Sequence, residues 1–145
     1  MPSVRLSWAP AALLKDGPWI YINISAPEFE ISEGRTLGLE FPQLTIKALI
    51  DTGASVTVVN PEVARTCKLR QTGVAQIVAA GSSGTYAEHA AGISFPGTDL
   101  RRADPIRVIA CSIVRQPVSC LIGRDILQAW RFTYDGPAAQ VEISQ

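Results

Sequence analysis

The sequence predicts an all-β protein with two short helices. Strand-like alternation recurs along the chain, Gly and Pro punctuate the alternating stretches, and only two short segments read as helices. No internal repeat, low-complexity tract or linker divides the 145 residues, which suffice for about one domain spanning 1–145.

From the N-terminus, Ala11-Ala12-Leu13-Leu14 reads as a short helical turn. Ile20, Ile22 and Ile24 alternate with Tyr21, Asn23 and Ser25, so a half-buried strand starts after Gly17-Pro18 and ends before Pro27. Residues 27–43 hold Pro27, Gly34, Gly38 and Pro42 among acidic residues and read as a loop. Leu44, Ile46, Ala48 and Ile50 alternate with Thr45, Lys47 and Leu49, giving a strand with one continuous apolar face. Val56, Val58 and Val59 form a return strand. Asn60-Pro61-Glu62 then starts the first helix with a capping side chain, a proline at the first helical position and an acid in the first turn. Val63 and Cys67 are spaced to share one face of it. Gln76-Ile77-Val78-Ala79-Ala80 and Tyr86-Ala87-Glu88-His89-Ala90 flank Gly81-Ser82-Ser83-Gly84 as a β-hairpin with a small-residue tip. Residues 106–114 are a third β-branched run. Ile126, Leu127 and Trp130 follow Gly123 at helical spacing, and 132–134 and 141–143 are short closing strands separated by Gly136-Pro137.

Composition narrows the function classes. At 47% hydrophobic and 18% charged, the chain lies in the ordinary globular range. Lys plus Arg and Asp plus Glu each number 13, so no basic excess points to nucleic acid or an anionic membrane as a partner. Residues 1–10 lack an apolar run followed by a cleavage site, and no stretch approaches the roughly 18 apolar residues of a spanning helix. Cys67, Cys111 and Cys120 are odd in number and lack a Cys-x-x-Cys spacing, which fits the reduced thiols of a cytoplasmic protein.

The chemistry concentrates in two segments. Asp51-Thr52-Gly53-Ala54 follows the apolar run Ala48-Leu49-Ile50 and so sets one carboxylate on a glycine turn at a strand end. Alone, Asp-Thr-Gly reads as an ordinary surface turn, because Asp and Gly are common turn residues. The second segment, Cys120-Leu121-Ile122-Gly123-Arg124-Asp125-Ile126-Leu127, changes that reading. Together the two resemble the retropepsin-type aspartic proteases, single-lobe enzymes related to viral proteases, over roughly residues 44–134.

The resemblance implies a closed, mostly antiparallel β fold and an aspartic endopeptidase. Two-lobed relatives carry two such turns in one long chain; this chain has one, so the second aspartate is expected from a second copy in a homodimer with the site on its two-fold axis. Asp51 is the implied catalytic residue. Two carboxylates about 3 Å apart cannot both ionise comfortably, so the pair shares one proton: the charged member deprotonates water and the protonated member protonates the peptide. Thr52 is implied to tie the two active-site loops together, Gly53 to let the substrate backbone approach, and Ala54 to keep the floor small. Leu121, Ile122 and Gly123 are implied to back the catalytic loop, with Arg124 and Asp125 bracing it through a nearby carboxylate. The hairpin is implied to be a substrate-binding flap, Ala80, Gly81, Ser82, Ser83 and Gly84 with Tyr86 nearby. The implied substrate is an extended peptide or protein with apolar residues around the scissile bond, without cofactor or metal. The chain departs from the viral pattern at Ser55, where an aspartate often follows the turn, and in its serine-containing flap tip. Residues 1–43 lie outside the specific motifs.

Other readings are weaker. Arg124 and Asp125 individually read as partners of a structural ion pair. Gly81-Ser82-Ser83-Gly84 lacks the Gly-Lys-Ser/Thr of a phosphate cradle. His89, the only histidine, reads as a surface residue of the hairpin, since residues 53–57 lack the second glycine of a nucleophile elbow. One histidine and three unclustered cysteines lack the spacing of a zinc site. The alternative of a different class is a dimeric interaction module of the same fold that binds extended peptides by strand addition with little or no proteolytic activity.

Overall fold

The computed structural model describes the chain except for residues 80, 81, 115 and 116. The elements in order are β1 (Ser3–Ser7), α1 (Pro10–Asp16), β2 (Trp19–Ser25), α2 (Glu28–Thr36), β3 (Leu44–Ile50), β4 (Val58–Val59), α3 (Pro61–Thr66), β5 (Gln71–Ala79), β6 (Ser82–Ser94), β7 (Ala103–Ala110), β8 (Cys120–Ile122), α4 (Arg124–Leu127), β9 (Arg131–Asp135) and β10 (Gln140–Ser144). Strands dominate, as the alternation requires. Four short helices stand among the described residues, however, where two were expected.

Seven strands form one sheet in the order β2-β3-β8-β4-β7-β6-β5. Its end turns back on its beginning: β6 also pairs with β2, from Asn23↔Ser94 to Ser25↔Gly92, so the order β2-β3-β8-β4-β7-β6 returns to β2 and the sheet closes. Pairing is antiparallel except between β3 and β8 and between β4 and β7. The interior follows from the period of two. Ile20, Ile22 and Ile24 point inward from β2, and Ala48 and Ile50 from β3, to meet Ile93, Val108 and Ile122 in one apolar cluster that also holds Val141 and Ile143 of β10. Full burial of an Ile or Val side chain contributes about 1.5–3 kcal/mol, so this alternation is the main determinant of register.

Several expectations shift. β1 was not anticipated; it pairs with β10 from Ser3↔Ser144 to Ser7↔Gln140, in a three-stranded sheet of order β1-β10-β9. Residues 28–36, expected as loop, are helical. Pro27 offers no capping side chain; instead the Asp104 carboxylate of β7 accepts the Glu28 N–H at 3.2 Å, and Glu28 and Glu30 in the first turn complement the helix dipole. Asn60 precedes α3 without capping it: its Oδ1 accepts the N–H of Ile113 at 2.8 Å. The hairpin outgrows its expected tip, since Ser83 pairs with Val78 and Gly84 with Ile77. Ser and Gly are frequent in turns but do not block a ladder, and the strands continue to Ala79 and Ser82. β7 begins and ends earlier than the β-branched run, which leaves Cys111–Val114 outside the sheet.

Candidate active site

Asp51 stands at the C-terminal end of β3, where the parallel pairs Leu49↔Leu121 and Ile50↔Ile122 set the two sequence motifs side by side. The ladder extends into the loop, with the Asp51 N–H donating to the Ile122 carbonyl at 2.9 Å. The turn then closes on itself. Gly53 N–H donates to Asp51 Oδ1 at 2.9 Å and Ala54 N–H to the Asp51 carbonyl at 3.2 Å. A Cβ on Gly53 would stand 3.1 Å from that same carboxylate oxygen, so the glycine keeps the carboxylate uncrowded.

The second motif grips the loop at two points. Arg124 N–H donates to the Ala54 carbonyl at 2.8 Å, and its guanidinium Nη1 donates to the Thr52 carbonyl at 2.7 Å. Each of Arg124 and Asp125 was expected in a structural ion pair, but among the described residues neither enters one. Asp125 accepts from the Thr57 N–H at 2.9 Å and from the Thr57 hydroxyl at 2.8 Å. That hydroxyl in turn accepts the Gly123 N–H at 3.2 Å, so Thr57, fully buried, bridges the strand after the loop to the segment behind it. Gly123 makes this approach possible. Its backbone is extended (φ −89°), open to any residue, but a Cβ would lie 2.5 Å from the Val56 carbonyl carbon and oxygen. Just upstream, burial first and the Asp125 charge second push the Cys120 thiol up from its ordinary pKa, which keeps it neutral.

Asp51, Gly53, Ala54 and Leu121 open onto a cleft of about 980 Å³. Thr52 lies exposed at the loop surface and Ile122 is buried beneath the loop. Among the described residues of the hairpin, Ala75–Val78 of β5 wall the cleft, and the expected Ser83, Gly84 and Tyr86 of β6 do not. Ser82 and Ser83 belong to β6, and Ala80 and Gly81 lie outside the described residues. The Tyr86 ring lies over Gly84, where a Cβ would come within 2.8 Å of its hydroxyl. The Cys111 thiol beside Tyr86, through a hydrogen bond first and its charge second, pushes the phenol pKa up.

Sequence reasoning missed Thr57, Arg107 and Cys111. Thr57 is a lone hydroxyl in a valine run, a pattern that by itself signals only a strand. Arg107, Ile109 and Cys111 line the cleft at intervals of two along β7 and its continuation, which the β-branched run could have shown once a cleft was located. The Arg107 guanidinium is held by Glu88 of β6 at 3.0 Å. His89 is not the surface residue expected: it is half-buried, its Nδ1 is enclosed with no partner among the described residues, and burial lowers its pKa. Among the described residues no group of three His, Cys, Asp or Glu side chains is arranged to hold a metal ion, and no helix is long and apolar enough to cross a membrane.

A family model described as "gag-polyprotein putative aspartyl protease" matches residues 39–129. The fold is similar to the crystal structure of a retropepsin-like aspartic protease from Rickettsia conorii, at 15% identity and a TM-score of 0.54, covering 97% of this chain and 89% of that one. It is also similar to EIAV protease complexed with the inhibitor HBY-793, at 21% identity and a TM-score of 0.46, covering 62% of this chain and 88% of that one. No curated protein matches the sequence. Because the family model spans both motifs and well over half of the chain, the protein belongs to this aspartyl protease family, with a retropepsin-like fold.

Proposed function

We propose that this chain is an aspartic-type endopeptidase that works as a homodimer, each copy supplying one Asp51 to a shared dyad. The observation that carries the reading is the support of the Asp51 loop. Its carboxylate is oriented by the Gly53 N–H, its carbonyls at Thr52 and Ala54 are held by Arg124, and it opens onto the cleft. One domain, 1–145, forms each half of the enzyme. In the proposed reaction the ionised Asp51 removes a proton from water as the oxygen attacks the peptide carbonyl carbon. The protonated Asp51 of the other copy donates to the carbonyl oxygen, and the tetrahedral species collapses with a proton passing to the departing nitrogen. Only carboxylates and water take part, so the chemistry requires no cofactor. The apolar wall formed by Leu49, Val56, Val58, Ile77 and Ile109 supports an extended peptide with apolar side chains as substrate. The three free thiols support a cytoplasmic location.

Cleavage of a diverse peptide library from about pH 3 to 7, the range over which carboxylates titrate, tests this. Asp51→Asn is the comparison, since an asparagine carbonyl oxygen can still accept the Gly53 N–H and preserve the turn. Cleavage by the wild type alone is the expected outcome. Equal cleavage by the variant would refute the mechanism. Peptide binding without cleavage by either protein, at every pH, would identify an interaction module instead.

A further inference from the structure

Leu49 of β3, Leu121 of β8, Val58 of β4 and Ile109 of β7 are successive partners across the sheet, and all four line the cleft. Asp51 lies two residues beyond Leu49. Because β3 and β8 are parallel, β8 and β4 antiparallel, and β4 and β7 parallel, the same displacement on β7 leads back from Ile109 to Arg107. Asp51 and Arg107 therefore stand on the same side of this row, three strand spacings or about 14 Å apart, and both line the cleft. An extended peptide advances about 3.3 Å per residue, so a substrate with its scissile bond at Asp51 brings a side chain about three to four residues away to Arg107.

Among the described residues that line the cleft, Asp51 and Arg107 alone are charged. Glu88 holds the guanidinium from behind. Its Oε1 accepts from Nη1 at 3.0 Å, and its Oε2 fills the space over Gly73, where a Cβ would come within 3.3 Å of it. Glu88 itself does not line the cleft. Its side chain is 15% exposed and that of Arg107 55%, so the pair turns its positive member outward. Nη1 serves Glu88, while Nε and Nη2 donate to no described residue, which leaves most of a five-donor fork for a ligand. Such a planar fork matches a carboxylate at two points.

We propose that Arg107 determines specificity in this cleft by selecting substrates that carry an aspartate or glutamate about three to four residues from the bond cut. The inference rests on the peptidase reading for the place of the scissile bond. In the homodimer the two-fold axis sets a second Arg107 at the same distance on the other side, so the preference falls on both sides of that bond.

The test compares peptides that differ only in Asp or Asn at that distance from a central pair of apolar residues, at about pH 5, where an ordinary Asp with a pKa of about 3.9 is charged. kcat/KM is measured for wild type, Arg107→Gln and Glu88→Gln, with circular dichroism to verify folding. The wild type is expected to favour the Asp peptide on the order of fivefold and Arg107→Gln to treat the two alike. Glu88→Gln, which leaves the guanidinium without its neutralising partner, is expected to keep the preference. Dissociation constants of the same peptides with Asp51→Asn, alone and combined with Arg107→Gln, read the discrimination without cleavage. Cleavage with no preference for the Asp peptide, or a preference that survives Arg107→Gln, would overturn the role of Arg107 and leave the peptidase standing. Equal loss in Glu88→Gln and Arg107→Gln would overturn it too, since the ion pair would then act as a brace of the sheet. Binding that favours the Asp peptide only while Arg107 is present, with no cleavage by the wild type, would refute the peptidase and uphold Arg107 as the recognising group. Absence of both cleavage and preference would refute both.

Discussion

Replacing Thr57 by valine keeps the shape of a side chain that is 0% exposed and removes only its hydroxyl. Two interactions go with it: the bond donated to Asp125 Oδ1 at 2.8 Å, and the acceptor of the Gly123 N–H at 3.2 Å. A hydrogen bond to a charged group contributes roughly 1.5–3 kcal/mol, and a buried donor left without a partner costs about 1–3 kcal/mol. These are not additive within one network, Asp125 retains the Thr57 and Ile126 N–H groups, and the new methyl regains about 0.8 kcal/mol of burial. The net expectation is a loss of about 2–4 kcal/mol, read as a lower urea midpoint at unchanged slope. Thr57→Ser provides the internal control, because it keeps the hydroxyl and deletes one methyl, at a cost of about 1 kcal/mol. If the valine variant is as stable as the wild type, or more stable than the serine variant, packing and not the polar bridge holds the segment behind Asp51.

Gly123→Ala puts a methyl 2.5 Å from the Val56 carbonyl, and because backbone must move, destabilisation of about 1–3 kcal/mol or more is expected; an unchanged melting temperature would show that the approach is not close. His89 supplies a pH dependence with a definite sign. Burial lowers its pKa below the ordinary 6.5, so the unfolded chain binds the proton first as pH falls. Both forms are neutral above that value, and stability is lost below about pH 6.5 toward the folded-state pKa. His89→Gln should flatten this part of the stability curve between about pH 7 and 5, and parallel curves for the two proteins would remove His89 as its source.

Much of the architecture is readable from local pattern. The strands around Ile22 and Ile46, the hairpin after Gln71 and the β9–β10 pair follow from period-two alternation and turn residues, properties of a few neighbouring side chains. The helix at 28–36 was hidden because the group that satisfies its first N–H is Asp104, 76 residues away. Asn60 misled for the same reason, its side chain serving Ile113 instead of the helix it precedes. By itself the sequence determined most of the extended segments, though not β1, the apolar faces of the strands around Ile22 and Ile46, and that Asp51-Thr52-Gly53-Ala54 and Leu121-Ile122-Gly123-Arg124 carry the resemblance to an aspartic protease. Only the tertiary structure decided that Arg124 holds the Thr52 carbonyl and not a carboxylate, that Thr57 joins Asp125 to Gly123, that β5 walls the cleft, and that β9 is left as an edge. Hydrogen-bond partners and strand neighbours depend on where distant backbone comes to rest, and that is set by the burial of the whole apolar cluster and not by the residues on either side.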